Sequence, residues 1–205
     1  MPFLKYLLII AIGYLCGNFN TGLIVSKAQS GIDIRKHGSG NAGATNMLRV
    51  LGSQPALLTI VGDILKGILA ILIGRWIAGD YGGIAGGTAA IIGHDWPVFF
   101  EFKGGKGAAT TIGVLGFLFP LHGLCCILVF LAIFVLTRYV SLGSMGAALF
   151  GAVMLCVTEW GDAAACCAGV LWCLLIIFCH RANILRLFAG TENRLDLSKI
   201  RRKQR

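Results

Sequence analysis

Four short polar segments interrupt an otherwise apolar chain, and each holds residue types suited to binding a phosphate. The first, Gly38-Ser39-Gly40-Asn41-Ala42-Gly43-Ala44-Thr45-Asn46, is followed closely by Arg49. A flexible turn needs only a glycine or two. Here three glycines, two asparagines, a serine and a threonine bring many backbone N–H groups and polar side chains into one small volume. A helix starting near Thr45 would add the positive end of its dipole, and Arg49, one turn further on, offers a forked donor to an oxyanion.

The second segment is Phe102-Lys103-Gly104-Gly105-Lys106-Gly107-Ala108-Ala109-Thr110. It is not a Walker loop, because Gly107 stands where Ser or Thr would bind magnesium. The physics is related: glycines let backbone amides converge on an anion, and two lysines neutralise it. A glycine hinge ending a helix is the plainer alternative, and the lysine spacing favours phosphate. The third segment is Arg138-Tyr139-Val140-Ser141-Leu142-Gly143-Ser144. The fourth is His180-Arg181-Ala182-Asn183-Ile184-Leu185-Arg186-Leu187, followed by Gly190-Thr191-Glu192. On a helix His180, Asn183 and Ile184 share a face, while Arg186 points elsewhere. Charges inside the apolar run Asp63-Ile64-Leu65-Lys66-Gly67 are costly in lipid, and at i, i+3 they are expected to pair.

Some chemistries lack their residues. There is no GxSxG nucleophile elbow, no His followed five residues later by Asp, and no acidic cluster of the kind that holds magnesium for phosphatidyl transfer. A donor that is already activated would remove the need for them.

These segments must be positioned by elements that composition places in a membrane. Of 205 residues, 57% are hydrophobic and only 13% charged, with 29 glycines and a net charge of +9; mean hydropathy is +0.81. A soluble domain has about a quarter charged residues and less than half apolar. The balance excludes a disordered chain, a disulfide-stapled secreted module and an ordinary cytosolic enzyme, and points to a polytopic membrane protein. All eight cysteines lie within apolar runs and none forms a CxxC pair with flanking His, so they read as small helix filler.

Apolar stretches cover about Phe3–Val25, Pro55–Ala78, Gly83–Val98, Thr111–Thr137, Val140–Thr158 and Ala163–Cys179. The run Thr111–Thr137 as one helix would measure roughly 40 Å against a hydrocarbon layer of about 30 Å, and Pro120-Leu121-His122-Gly123 sits inside it. It therefore reads as a short half-span, a turn near His122 and a return span. Fifteen of the 18 Lys and Arg residues fall in Ser26–Ser53, Glu101–Thr110, Arg138 and Arg181–Arg205. With the break at Pro120 all four segments face one side, which gives seven transmembrane helices, N-terminus outside and C-terminus cytoplasmic. The expected organisation is an all-α single membrane-embedded domain over residues 1–192 and a basic cytoplasmic tail over 193–205. The closing Arg201-Arg202-Lys203-Gln204-Arg205 suits anionic lipid headgroups, and no nucleic-acid partner is expected.

Together and in this order, Gly38–Asn46, Asp63–Gly67, Gly93-His94 with Pro97 and Phe99, Phe102–Thr110, Arg138–Ser144 and His180–Glu192 resemble the bacterial integral-membrane acyl-phosphate:glycerol-3-phosphate acyltransferases, over essentially Tyr14–Glu192. One departure is Gly17-Asn18-Phe19-Asn20-Thr21-Gly22, where that family tends to show Gly-Ser-x-Pro-x-Gly. The resemblance implies transfer of a fatty acyl group from acyl phosphate to the primary hydroxyl of glycerol 3-phosphate, at the cytoplasmic face of a bacterial cell membrane, without cofactor or metal. It implies catalytic roles for Ser39, Asn41, Arg49, His180 and Asn183. Substrate contacts fall to Gly40, Gly43, Thr45, Asn46, Lys103, Gly104, Gly105, Lys106, Gly107 and Ser141, and supporting roles to Asp63, Lys66, His94 and Glu192. Either His180 or the departing phosphate serves as base. The other class considered is a small anion or metabolite transporter, against which no internal repeat is visible and the polar motifs gather on one face.

Overall fold

A computed structural model describes residues 2–195, and the expected basic tail beyond Leu195 lies outside the described residues. The described chain is helical and has no strand. The helices are α1 (Pro2–Asn18), α2 (Thr21–Ser30), α3 (Ala44–Val50), α4 (Ser53–Asp95), α5 (Ala108–Leu118), α6 (Pro120–Thr137), α7 (Val140–Thr158), α8 (Ala163–Cys179) and α9 (Arg181–Phe188), with short 3-10 turns at Ile34–Lys36 and Val98–Phe100. Four stretches are long and apolar enough to cross a membrane: Pro2–Ser30, Ser53–Phe100, Pro120–Thr137 and Val140–Thr158. A fifth is added if α8 and α9, bent by 59°, count as one.

Glycine decides how these helices meet. The 43 residues of α4 would make a rod about 65 Å long. Its dihedrals leave the helix at Ala78 and Gly79, and the chain doubles back. A Cβ on Gly74 would lie 2.1 Å from the Gly82 carbonyl oxygen, and one on Gly86 2.4 Å from that of Ala70. The two arms, 53–77 and 80–95, therefore pack backbone on backbone, as small residues allow in lipid. They match the separate apolar runs seen in the sequence. α1 lies against the second arm by the same device, Gly13 on Gly86, Gly17 on Ala90 and Gly93 on Tyr14. The Tyr14 hydroxyl donates to the Trp96 carbonyl at 2.6 Å.

The expected break near Pro120 is present. Phe119 (φ −135°, ψ 78°) separates α5 from α6, and Pro120 opens α6, where its missing N–H costs nothing. The turn thus falls three residues before His122, which is buried in α6 and shares a 2.7 Å hydrogen bond with Thr158. With 11 residues α5 is about 16 Å long, well short of a bilayer core. The first apolar run also differs from expectation. It ends at Asn18 and restarts at Thr21, where the Asn20 side chain accepts from the Leu23 N–H at 3.2 Å.

The core that fixes the bundle contains Ile71, Ile91, Val114, Leu115, Leu155 and Trp172. Trp172 Nε1 donates to Thr88 Oγ1 at 2.9 Å, tying α8 to α4. A second cluster, Leu23, Ile34, Ala42, Met47 and Ala56, packs the first polar segment onto α2 and α4.

The contact between Gly123 and Gly116, where a Cβ on Gly123 would stand 2.4 Å from the Gly116 Cα, predicts the outcome of one substitution pair. Gly123→Val should destabilise the detergent-solubilised protein by about 1–3 kcal/mol through overpacking. Gly161→Ala, with nothing within 4 Å of a new Cβ, should leave the thermal midpoint unchanged. Equal midpoints for both variants would refute the packing role of the α5–α6 turn.

Candidate active site

The first polar segment folds around Asn46, which is 1% exposed. Its amide nitrogen reaches the carbonyl oxygens of Ile34, His37 and Asn41 at 3.2, 2.9 and 2.9 Å, and its Oδ1 accepts from the Ser39 N–H at 2.8 Å. Asn46 therefore works as the internal frame of the segment. Gly38 makes this possible: its φ is +62°, and a Cβ there would lie 2.3 Å from the Asn46 oxygen. Asn41 Oδ1 accepts from the Gly43 N–H at 2.9 Å, setting the turn into α3, which starts at Ala44, one residue before the expected point. Arg35 links the segment to its neighbour, holding Asp33 at 2.8 Å and donating to the Phe100 carbonyl at 3.0 Å. The Arg35 guanidinium in turn holds the Asp33 carboxyl at about 2.

The second segment lies on the end of α4. The Gly104 and Gly105 N–H groups donate to the carbonyls of Asp95 and His94 at 3.3 and 3.1 Å. Cβ atoms at these glycines would stand 1.9 Å from the His94 oxygen and 1.9 Å from His94 Nε2. Gly104 and Gly105 are thus required from behind, by the helix end beneath them. Beneath the loop, buried Asp63 and Lys66 pair at 2.8 Å as the i, i+3 spacing predicts. Lys66 Nζ also reaches His94 Nδ1 at 2.6 Å and the Phe19 carbonyl at 2.9 Å. This polar network leaves few choices for the His94 ring, and so for the loop resting on it.

Glu192 joins the remaining segments. One carboxylate oxygen accepts from Ser141 Oγ at 2.8 Å and from Asn183 Nδ2 at 2.6 Å; the other accepts from Arg186 Nε at 2.8 Å. Lys106 Nζ donates to Asn183 Oδ1 at 2.5 Å. Burial works against the Glu192 charge, but the bonds from Asn183, Ser141 and Arg186 win and hold its carboxyl below the ordinary glutamate range. Lys106 moves the other way. Burial, with Arg186 and Arg49 adding repulsion against the pull of Glu192, brings its ammonium down to about 8. His180 caps α9, 4% exposed, and its Nδ1 lies 2.8 Å from the Ile176 carbonyl. A carbonyl only accepts, so Nδ1 carries the proton and Nε2 is left as the acceptor of a neutral ring.

Most of these groups border one cavity of about 460 Å³. Its polar end is lined by Ser39, Gly40, Asn41, Gly43, Thr45, Asn46 and Arg49, by Lys106 and Gly107, and by Ser141, His180, Asn183, Arg186 and Glu192. Its other end is apolar, with Ile112, Leu115, Phe130, Leu155, Trp172 and Ile176 among its walls. Three cations, Arg49, Lys106 and Arg186, meet one carboxylate, Glu192, so the polar end carries a surplus of positive charge fit for a phosphate dianion. Asp63 and His94 also reach the lining. Among the described residues no three His, Cys, Asp or Glu side chains come together to hold a metal ion.

The structure thus brings together most of the residues singled out from the sequence. Lys103, Gly104, Gly105 and Lys66 do not reach the cavity wall; Lys103 is exposed and pairs with Glu101 at 3.0 Å. Arg186 is a correction. Helical spacing turns it away from His180 and Ile184, but the chain reverses at Gly190 (φ +69°) and returns Glu192 to meet it. That fold-back also places Glu192, expected in a supporting role, where it binds Ser141, Asn183 and Arg186 together. Residues 193–195 continue it, the Leu195 N–H donating to the Arg138 carbonyl at 3.0 Å. The apolar walls were not distinguishable in the sequence from ordinary lipid-facing helix.

The chain matches the glycerol-3-phosphate acyltransferase family model over residues 7–190. It is 46% identical to a glycerol-3-phosphate acyltransferase of Thermoanaerobacter sp. (strain X514) over 185 residues, covering 90% of this chain and 92% of that one. It is 44% identical to the Halalkalibacterium halodurans enzyme of the same name over 202 residues, covering 96% and 98%. It superposes on the crystal structure of PlsY, an integral membrane glycerol 3-phosphate acyltransferase, in its glycerol 3-phosphate form. The TM-score is 0.89 and the identity 37%, with coverage of 95% and 98%. For the lysophosphatidic acid form of PlsY the values are 0.86 and 36%, with coverage of 95% and 97%. With a polar cavity end rich in cations and an apolar arm behind it, on a helical frame of this length, the chain belongs to the glycerol-3-phosphate acyltransferase family.

Proposed function

We propose that this multi-pass membrane enzyme takes its acyl group from acyl phosphate and passes it to the primary hydroxyl of glycerol 3-phosphate, giving lysophosphatidic acid and inorganic phosphate. The observation that carries the reading is the two-ended cavity, cationic at Arg49, Lys106 and Arg186 and apolar at Phe130, Leu155 and Trp172. It matches molecules made of a compact anion and a hydrocarbon tail. Lys106 and Arg186 neutralise the glycerol phosphate, while the segment from Ser39 to Arg49 faces the donor's phosphate and the oxyanion forming at its carbonyl. The hydroxyl oxygen attacks the acyl carbon, the bond from that carbon to the phosphate oxygen breaks, and the hydroxyl proton passes to the departing phosphate. His180 Nε2, held as an acceptor by the Nδ1 bond, orients the substrate by accepting from its neighbouring secondary hydroxyl.

In this reading the chain makes seven passes: α1 with α2, the two arms of α4, α5 with α6 as a short arm and its return, α7 and α8. Its N-terminus lies outside a bacterial cell membrane, and the site and C-terminus lie on the cytoplasmic face. In a cysteine-free variant, a cysteine at exposed Ser30 should resist an impermeant thiol reagent in intact cells and one at exposed Gly161 should react. The reverse pattern would overturn this orientation.

Charge at Lys106 supplies a second test. Its ammonium, brought down to about 8, is protonated below that pH and neutral above it. KM for glycerol 3-phosphate should therefore rise above about pH 8 in the native enzyme and stay flatter in Lys106→Arg. Lys106→Gln should raise KM roughly tenfold or more at neutral pH, the loss of one charge-assisted hydrogen bond or more. An unchanged KM in Lys106→Gln would remove the loop from the substrate site.

The donor is tested directly. Purified protein should form lysophosphatidic acid from acyl phosphate and turn over acyl-CoA or acyl carrier protein negligibly, with activity kept in chelator. Efficient turnover of palmitoyl-CoA with acyl phosphate inert would reverse the assignment.

A further inference from the structure

Two aspartates are buried among the described residues, and they are treated differently. Asp63 is paired with Lys66. Asp95, the last residue of α4 and 4% exposed, makes no ion pair among the described residues. Its Oδ2 accepts only the Cys179 S–H, at 3.4 Å, and its Oδ1 has no hydrogen-bond partner among the described residues. A carboxyl so placed is a cost to folding unless the site uses it.

Its position shows what it bears on. A Cβ on Gly107 would lie 2.9 Å from Asp95 Oδ1 and 3.2 Å from Oδ2, so the carboxyl rests against the back of that glycine. The front of the same short stretch, Lys106 to Ala109, lines the cavity. Gly107 is also the residue from which α5 starts, and the first N–H groups of a helix have no partner within it. The positive end of α5 thus has an acidic group on one side and the cavity on the other. The titratable groups around Asp95 are His94, Lys66 and Asp63 on its own helix, and Cys179 on α8; Lys106 heads the loop in front.

We propose that Asp95 is a positioning residue that lowers the affinity of the Lys106–Gly107 loop for phosphate, its carboxylate competing from behind for the same positive helix end and so favouring release. Two like charges on either side of one helix terminus repel, and each weakens the hold on the other. The inference rests on the reading of this loop as the seat of a substrate phosphate.

The test uses the purified full-length enzyme and two readouts, KM for glycerol 3-phosphate and inhibition by inorganic phosphate, from pH 6 to 9. Asp95→Asn keeps the shape and removes the charge. At the alkaline end it should lower both constants about threefold to tenfold, the size expected of one unit charge through a partly screened medium. Asp95→Ser, neutral and smaller, should reproduce the shift, which guards against a folding defect particular to the asparagine. An equal or higher KM in both variants at the alkaline end overturns the proposal. Lys106→Gln separates the two levels. If it raises KM while the Asp95 variants lower nothing, only the role of Asp95 fails; if it changes nothing, the loop is not the phosphate seat.

Discussion

Like charges held close together at the edge of a low-dielectric layer set the terms for this protein. Arg49, Lys106 and Arg186 must stay near one another with no ligand present, and their repulsion would drive the supporting segments apart. Glu192 prevents this. Its carboxylate binds Arg186 directly and Lys106 through Asn183, and takes a further bond from Ser141. One carboxylate therefore ties the start of α7, the whole of α9 and the loop before α5. It does not cancel the three positive charges, and the surplus remains for a ligand.

Around that hub the helices obey a second constraint, that backbone polar groups in lipid must be satisfied within the helix. The longer irregular segments, the 3-10 turns, the glycine loops and the α8–α9 bend, collect at one end of the bundle. The hairpin in α4 and the α5–α6 turn lie at the other end and are closed by glycine pairs that bring backbones into contact. The polar end is thus built from connections and the apolar end of the cavity from helix faces, which is why a single space has two characters.

Much of this was legible in the sequence because the chemistry is written in unusual residues. Charge asymmetry and the proline at 120 located the α5–α6 reversal to within three residues, and the i, i+3 spacing of Asp63 and Lys66 foretold their pairing. The polar segments converge as their composition suggested. Other features depend on three-dimensional return of the chain, which local periodicity does not encode. Arg186 meets its carboxylate partner only because the backbone reverses at Gly190, and Gly104 and Gly105, which do not reach the cavity, are dictated by the His94–Asp95 helix end. Asn46 reads as a ligand by type and turns out to hold its own loop together. The buried carboxyl of Asp95 gave no signal, sitting in a run where any residue would continue the helix.

The shortness of α5 has a consequence for how the protein is made. Eleven residues bury too little apolar length to enter a bilayer as an independent span. The arm must therefore partition together with α6, as one hairpin closed at Phe119, and its two ends stay on the side from which they came. Synthesis has to reach well into α6 before the Lys106 loop acquires a fixed place. The binding end of the enzyme is then assembled late, after the frame of α1 and α4 is already seated in the lipid.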